Sequence, residues 1–107
     1  MTAPHMSSEQ FGPLYHGSGS WIPSGEGINP TTHPAGRSTA AWGTYDLSTA
    51  AKYAGGKAAA QGQLFSPVYE VEHPTGETIR YNRTVGSTKA LRVKKIVGYG
   101  SYTGQLV

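Results

Sequence analysis

The chain has 107 residues, a formal net charge of +3 at neutral pH and no cysteine. This length predicts one domain, and the lack of cysteine excludes disulfides, thiolate metal sites and a cysteine nucleophile. Leu, Ile, Val and Phe together supply only 17 of the 107 residues, so we expect a thin core that relies on alanine and aromatic side chains. No apolar run reaches the length of a membrane span, which predicts a cytoplasmic protein without a membrane partner.

The basic residues are spread along the chain rather than gathered into one strongly basic segment. Their densest group is Lys89, Arg92, Lys94 and Lys95. On a strand, Arg92 and Lys94 would share one face while Val93 alternates with them, a pattern typical of a solvated edge. Nucleic acid is therefore not an expected partner.

In the first half of the chain, residues 1–10 are polar and predict a frayed segment, so that one domain spans residues 11–107. Residues 11–17 predict the first strand, with Pro13 tolerated near its start. Prolines and glycines in residues 21–28 favour a turn or short irregular helix over a strand. Residues 29–39 predict a loop, in which His33 and Arg37 could reach a ligand or be solvated.

In the second half, residues 40–44 predict a short strand, and Asp46 can cap a helix that runs toward Ala60. Gly55 and Gly56 weaken this helix in its middle. Residues 63–72 predict a strand interrupted at Pro67, and residues 79–81 another. Residues 85–88 predict a connection, residues 90–97 the clearest strand, and residues 98–104 either a last strand or a loose tail. This order predicts an α+β fold with a split, twisted, mostly antiparallel sheet and one main helix.

The first predicted strand ends in a motif that can carry chemistry, Leu14-Tyr15-His16-Gly17-Ser18. An imidazole beside a residue without a Cβ suits a place where a planar ligand approaches the backbone. The alternative is a partly buried, hydrogen-bonded histidine that precedes a turn. These five residues alone leave both interpretations open.

The order of further motifs over residues 14–97 resembles the small rifampin ADP-ribosyltransferases. After the histidine motif come Gly-Ile-Asn-Pro at 27–30, Trp-Gly-Thr at 42–44, Tyr-Ala at 53–54, Val-Tyr-Glu-Val-Glu at 68–72, Pro-Thr-Gly at 74–76 and Leu-Arg-Val at 91–93. The resemblance implies an ADP-ribosyltransferase fold that holds NAD in a cleft between two half-sheets. It also implies a glycosyl transfer: ADP-ribose passes to a small-molecule or protein acceptor and nicotinamide is released.

Members of this family use a histidine, a tyrosine and an acidic residue. The resemblance places the histidine at His16 and the tyrosine position at Trp42, which can stack on nicotinamide but lacks the phenol. The acidic position falls in residues 77–90, where Glu77 is the one carboxylate and lies close to the Pro-Thr-Gly turn. The residues implied to contact NAD are Tyr15, His16, Gly17, Ser18, Trp42, Thr44 and Tyr53.

The departures at Trp42 and Glu77 leave two function classes open. The first is an NAD-dependent mono-ADP-ribosyltransferase. The second is a non-catalytic binding or structural module that has the same fold and belongs to a larger protein assembly, because a fold does not determine a function. The NAD interpretation predicts that His16 and Trp42 lie on adjacent strands and face one cleft.

Overall fold

The computed structural model describes residues 12–31 and 39–107. The frayed segment predicted at residues 1–10, and the loop residues His33 and Arg37, lie outside these described residues. Within them are seven strands and one helix, in the order β1 (Leu14–Gly17), β2 (Gly27–Ile28), β3 (Ala41–Thr44), α1 (Leu47–Ala60), β4 (Phe65–Val71), β5 (Thr78–Tyr81), β6 (Thr84–Ser87) and β7 (Leu91–Ser101). None of the described helical residues form a segment long and apolar enough to cross a membrane.

The strands form a seven-stranded sheet in the order β2-β7-β4-β1-β3-β6-β5, and every pairing is antiparallel. The α+β prediction, with a mostly antiparallel sheet and one main helix, is therefore confirmed. Strand β1 forms four register pairs with β4, but only one, Tyr15 with Thr44, with β3. The strands β2, β7, β4 and β1 are consequently joined to β3, β6 and β5 through this single register pair.

Two apolar clusters cover the two faces of the sheet. Residues alternate between faces along a strand, so Leu14 and Tyr15 on β1 belong to different clusters. The cluster around Leu14 includes Tyr69 and Val71 and packs against Ile22. The other cluster joins Tyr15 and Val68 to the helix alanines Ala50, Ala51 and Ala54. The core is thin and rich in alanine and tyrosine, as the composition predicts.

Glycine lets the helix lie with its backbone against the sheet. A Cβ on Gly100 would lie 2.1 Å from the carbonyl oxygen of Ala51, and one on Gly17 would lie 2.2 Å from that of Ala50. From the helix side, a Cβ on Gly55 would lie 2.1 Å from the carbonyl oxygen of Ser101. No real Cβ tolerates such distances, so all three positions require glycine if α1 is to stay where it is.

Strand β4 continues through Pro67, and the predicted interruption there is wrong. Pro67 pairs with Tyr99 of β7, and its carbonyl accepts a hydrogen bond of 3.0 Å from the Ser18 N–H on the other side. The amide nitrogen and carbonyl of a strand residue face the same neighbour, so the proline nitrogen faces the end of β1. No bond to β7 is lost, and the proline is tolerated.

The connection predicted at residues 85–88 is also wrong, because Thr84–Ser87 forms β6. A two-residue turn, Asn82-Arg83, brings the chain back so that Tyr81 pairs with Thr84. Asn82 has φ 56°, a left-handed conformation that asparagine tolerates better than most residues.

Residues 21–28, predicted as a turn or short irregular helix, end in a short strand, β2, which pairs with Arg92 and Leu91 of β7. The tail after Val97 extends β7 to Ser101.

The glycine packing predicts opposite effects for two adjacent substitutions in α1. Gly55→Ala should lower the free energy of unfolding by roughly 1–3 kcal/mol, because the new methyl group meets the Ser101 carbonyl. Gly56→Ala should raise it by about 0.5–1 kcal/mol, because Gly56 faces open space and alanine favours the helix. Urea denaturation of both variants measures this difference. Equal effects at the two positions would contradict the close helix-to-sheet contact.

Candidate functional site

A cavity of about 130 Å³ opens between α1 and the strands that meet at the narrow contact of the sheet. A cavity of roughly 150 Å³ holds a benzene molecule in another protein, so this volume suits one aromatic ring. Within the described residues its walls are largely apolar and aromatic, with hydroxyl groups and one cation. The lining residues are Tyr15, His16, Gly17, Thr31, Trp42, Gly43, Thr44, Tyr53, Lys57 and Thr84.

The imidazole of His16 bridges β1 and β3 just where their pairing stops. Beyond the Tyr15–Thr44 pair the two strands have no further register partners. Instead, Nδ1 of His16 lies 2.6 Å from the backbone carbonyl oxygen of Trp42. The side chain thus replaces the missing backbone hydrogen bonds, and the gap between the strands becomes one edge of the cavity.

This hydrogen bond determines the tautomer of His16. A carbonyl oxygen can only accept, so Nδ1 must carry the hydrogen and donate it. Burial lowers the pKa of the imidazole below its ordinary value of 6.5; the bond to Trp42 partly opposes this effect, and the positive charge of Lys57 adds to it. The ring is therefore neutral at pH 7, and Nε2 is a hydrogen-bond acceptor.

Aromatic side chains border the cavity from the sheet and from the helix. The Trp42 ring lies over Gly86 of the neighbouring strand, where a Cβ would come within 2.8 Å of it. A larger residue at Gly86 would displace the indole. Tyr53 borders the cavity from α1, and its side chain is 49% exposed. Two aromatic side chains, Trp42 and Tyr53, therefore border the cavity.

Besides the His16 imidazole, the polar side chains that line the cavity within the described residues carry hydroxyls and one ammonium group. Thr44 has its hydroxyl oxygen engaged, since it accepts a 3.1 Å hydrogen bond from the Asp46 N–H at the start of α1. Lys57 supplies the cation. Among the lining residues in the described part of the chain there is no Asp or Glu. The site as described is thus aromatic and positively charged.

The structure brings together most of the residues that the resemblance implies. Six of them line the cavity, namely Tyr15, His16, Gly17, Trp42, Thr44 and Tyr53. His16 and Trp42 lie on adjacent strands and border the same cavity. Ser18 does not line it: its Oγ accepts a hydrogen bond from the Ser20 N–H at 3.0 Å. Glu77 does not line it either.

Glu77 lies beyond the end of the β5–β6 hairpin that is distant from the cavity. Thr84, which lines the cavity, is at one end of β6 and pairs with Tyr81. Thr78 pairs with Ser87 at the other end, and Glu77 precedes it. The three residues from Tyr81 to Thr78 along β5 correspond to a distance of about 10 Å. The backbone carbonyl of Glu77 accepts a hydrogen bond of 3.2 Å from the Thr88 N–H.

Four lining residues were not predicted, and the sequence holds a signal for three of them. Lys57 follows Tyr53 by four residues, so helical periodicity places both on one face of α1. Thr84 could be found from the Asn82-Arg83 turn, which pairs the strand after it with the one before. Gly43 lies within the Trp-Gly-Thr motif at 42–44, whereas no sequence signal indicates Thr31.

Comparison with known proteins gives no match to a family model, to a curated protein or to a solved structure. The interpretation of the cavity therefore depends on its own geometry and on the motif resemblance.

The neutral state of His16 predicts a pH dependence of stability. The pKa of His16 is lower in the folded chain than the unfolded value of 6.5, so the unfolded chain binds more protons as pH falls through that value. Stability should be greatest above pH 6.5 and should decrease as pH falls toward the folded pKa. Urea denaturation between pH 5 and 8 measures this decrease, and His16→Gln should reduce the slope. An NMR titration that gives His16 a pKa above 6.5 would refute the prediction.

Proposed function

We propose that the chain is an NAD-dependent ADP-ribosyltransferase that binds nicotinamide in the cavity between α1, β1 and β3. The observation that carries the proposal is His16, with Nδ1 bonded to the Trp42 carbonyl and Nε2 left as an acceptor, beside an aromatic cavity the size of one ring. The order of motifs supports the same conclusion. An ADP-ribosyltransferase fold, with the cleft at the single β1–β3 register pair, is part of this proposal.

The lining residues have complementary roles toward nicotinamide riboside. The ring of nicotinamide stacks on Trp42, with Tyr53 at the helix side of the cavity. The backbone of Gly17, which lines the cavity, offers hydrogen bonds to the carboxamide. Nε2 of His16 accepts a hydrogen bond from a ribose hydroxyl, which orients the sugar.

In the proposed reaction the bond between ribose C1′ and the nicotinamide nitrogen breaks. Its electron pair goes to the ring, which leaves as neutral nicotinamide. An oxygen or nitrogen of the acceptor forms the new bond to C1′ and loses its proton to solvent. Positive charge that develops on the sugar is stabilised by the face of Tyr53, since a cation is attracted to an aromatic face.

A second candidate function is favoured by the composition of the cavity. No carboxylate lines it within the described residues, and a carboxylate is the usual group that stabilises an oxocarbenium-like sugar. A chain with this cavity could bind NAD without transferring ADP-ribose and serve as a binding or structural module of an assembly. If transfer does occur, we expect slow turnover. Nicotinamide release distinguishes the two functions.

The proposal predicts that NAD binding depends on Trp42 and not on Glu77. Trp42→Ala should weaken binding several-fold, because aromatic stacking contributes on the order of 0.5–1.5 kcal/mol beyond buried area. Trp42→Phe, the matched control, should retain most of the affinity. Glu77→Gln should leave both affinity and nicotinamide release unchanged, whereas loss of a true ribose-orienting carboxylate would reduce turnover far more than affinity. Calorimetry with NAD and a nicotinamide-release assay measure both quantities.

Each outcome favours one interpretation. NAD binding with nicotinamide release supports the transferase. Binding without release, in the presence of candidate acceptors, supports the non-catalytic module. If Trp42→Ala is folded by circular dichroism and still binds NAD as the parent does, the assigned cavity is wrong.

A further inference from the structure

Lys57 is the one cation that lines the cavity within the described chain. It lies one helical turn after Tyr53 on α1, so its side chain borders the cavity from the same helix face. It also packs beside the loop that follows β1, since a Cβ on Gly19 would lie 3.3 Å from the Cβ of Lys57. The ammonium group thus belongs to the same opening as Gly17 and His16.

No carboxylate partner is found for Lys57 within the described residues. Two exposed bases of β7, Arg92 and Lys94, differ in this respect. Lys94 lies 3.0 Å from a carboxylate oxygen of Glu70, and Arg92 lies 3.6 Å from one of Glu72. Helix α1 has no acidic residue in its first turn, and none of its 14 residues is Asp or Glu. The positive charge of Lys57 is therefore left for water or for a ligand.

The charge of Lys57 is close enough to act on the imidazole. It is one of the causes of the lowered pKa of His16. A ligand that donates a hydrogen bond from a ribose hydroxyl to Nε2 of His16 therefore has the substituent on its ribose C5′ near this ammonium group. In a nicotinamide nucleotide that substituent is the 5′-phosphate, whereas the nucleoside has only a hydroxyl there. An ammonium group is a common partner for phosphate oxygens, to which its hydrogen bonds are charge-assisted.

We propose that Lys57 selects the phosphate of the ligand, so that this cavity takes nicotinamide nucleotides in preference to nicotinamide riboside or free nicotinamide. This inference rests on the proposed function. It does not depend on transfer, because a non-catalytic NAD-binding module would use the same contact.

The test compares ligands with and without phosphate on three forms of the chain. Binding of NAD, nicotinamide mononucleotide, nicotinamide riboside and nicotinamide is measured by calorimetry or NMR titration for the parent, Lys57→Gln and Lys52→Gln. Lys52 is the matched control, because it is exposed on the same helix, has the same charge and does not line the cavity. Circular dichroism verifies that each variant is folded.

Lys57→Gln should weaken NAD and the mononucleotide roughly three- to tenfold at low salt, the range of an exposed charge contact to phosphate. Riboside and free nicotinamide should change by less than about twofold, and Lys52→Gln should change none of the four affinities by more than that. Added salt should weaken NAD binding to the parent more than to Lys57→Gln.

Three results would overturn the role of Lys57 while the NAD proposal stands. They are unchanged NAD affinity in Lys57→Gln, an equal loss for the riboside, and an equal loss in Lys52→Gln. A parent chain that binds neither NAD nor the mononucleotide would overturn the proposed function and this inference together.

Discussion

The contact of backbone with backbone between α1 and the sheet is the constraint on which the rest of the fold depends. Gly17 and Gly100 on the sheet and Gly55 on the helix each lack the methyl group that would keep the two layers apart. Because the helix approaches so closely, Tyr53 and Lys57 reach the edge of the strands and form one wall of the cavity. The cavity is therefore a consequence of how the helix packs.

This packing also explains how a chain with few large apolar side chains forms a core. The buried side of α1 consists of alanines and Gly55, which bury little area each. Dispersion attraction falls steeply with distance, so close approach compensates in part for small side chains. The two adjacent glycines have different meanings. Gly56 faces open space and only lowers the stability of the helix. Gly55 lowers helix stability in the same way, but its missing side chain allows the close contact with the Ser101 carbonyl.

Local patterns in the sequence predict the elements whose signals are local. Helix α1 begins after Asp46 and ends at Ala60, as its alanine-rich pattern indicates. The predicted capping by the Asp46 side chain is absent: its carboxylate accepts a 3.0 Å hydrogen bond from the Thr49 hydroxyl and makes no bond to the helix backbone. Strand β7 follows from its run of β-branched residues. The wrong predictions, such as the interruption of β4 at Pro67, concern properties that depend on which strands pair with one another. The side of β4 to which the Pro67 nitrogen points depends on where β1 ends, and a periodic pattern does not contain that information.

The same distinction applies to the candidate site. His16, Trp42 and Tyr53 could be predicted from short motifs, and the structure places them around one cavity. Gly86 looks unlike a strand residue, yet it belongs to β6 because the Trp42 ring occupies the space of its missing side chain. The short motifs do not indicate Lys57, because its relevance comes from the cavity that α1 borders. Sequence patterns place it on a helix face but do not reveal what that face meets.

Two residues of the His16-Gly17 motif have reasons in the fold that need no ligand. Gly17 is required because a side chain there would meet the Ala50 carbonyl, and Nδ1 of His16 closes the gap between β1 and β3. Neither feature by itself distinguishes a binding site from a structural turn. The features that packing does not explain are the accepting Nε2 of a neutral imidazole, the half-exposed ring of Tyr53 and the ammonium group of Lys57. All three border one opening, and in our proposal they contact the hydroxyl, the ring and the phosphate of a nicotinamide nucleotide.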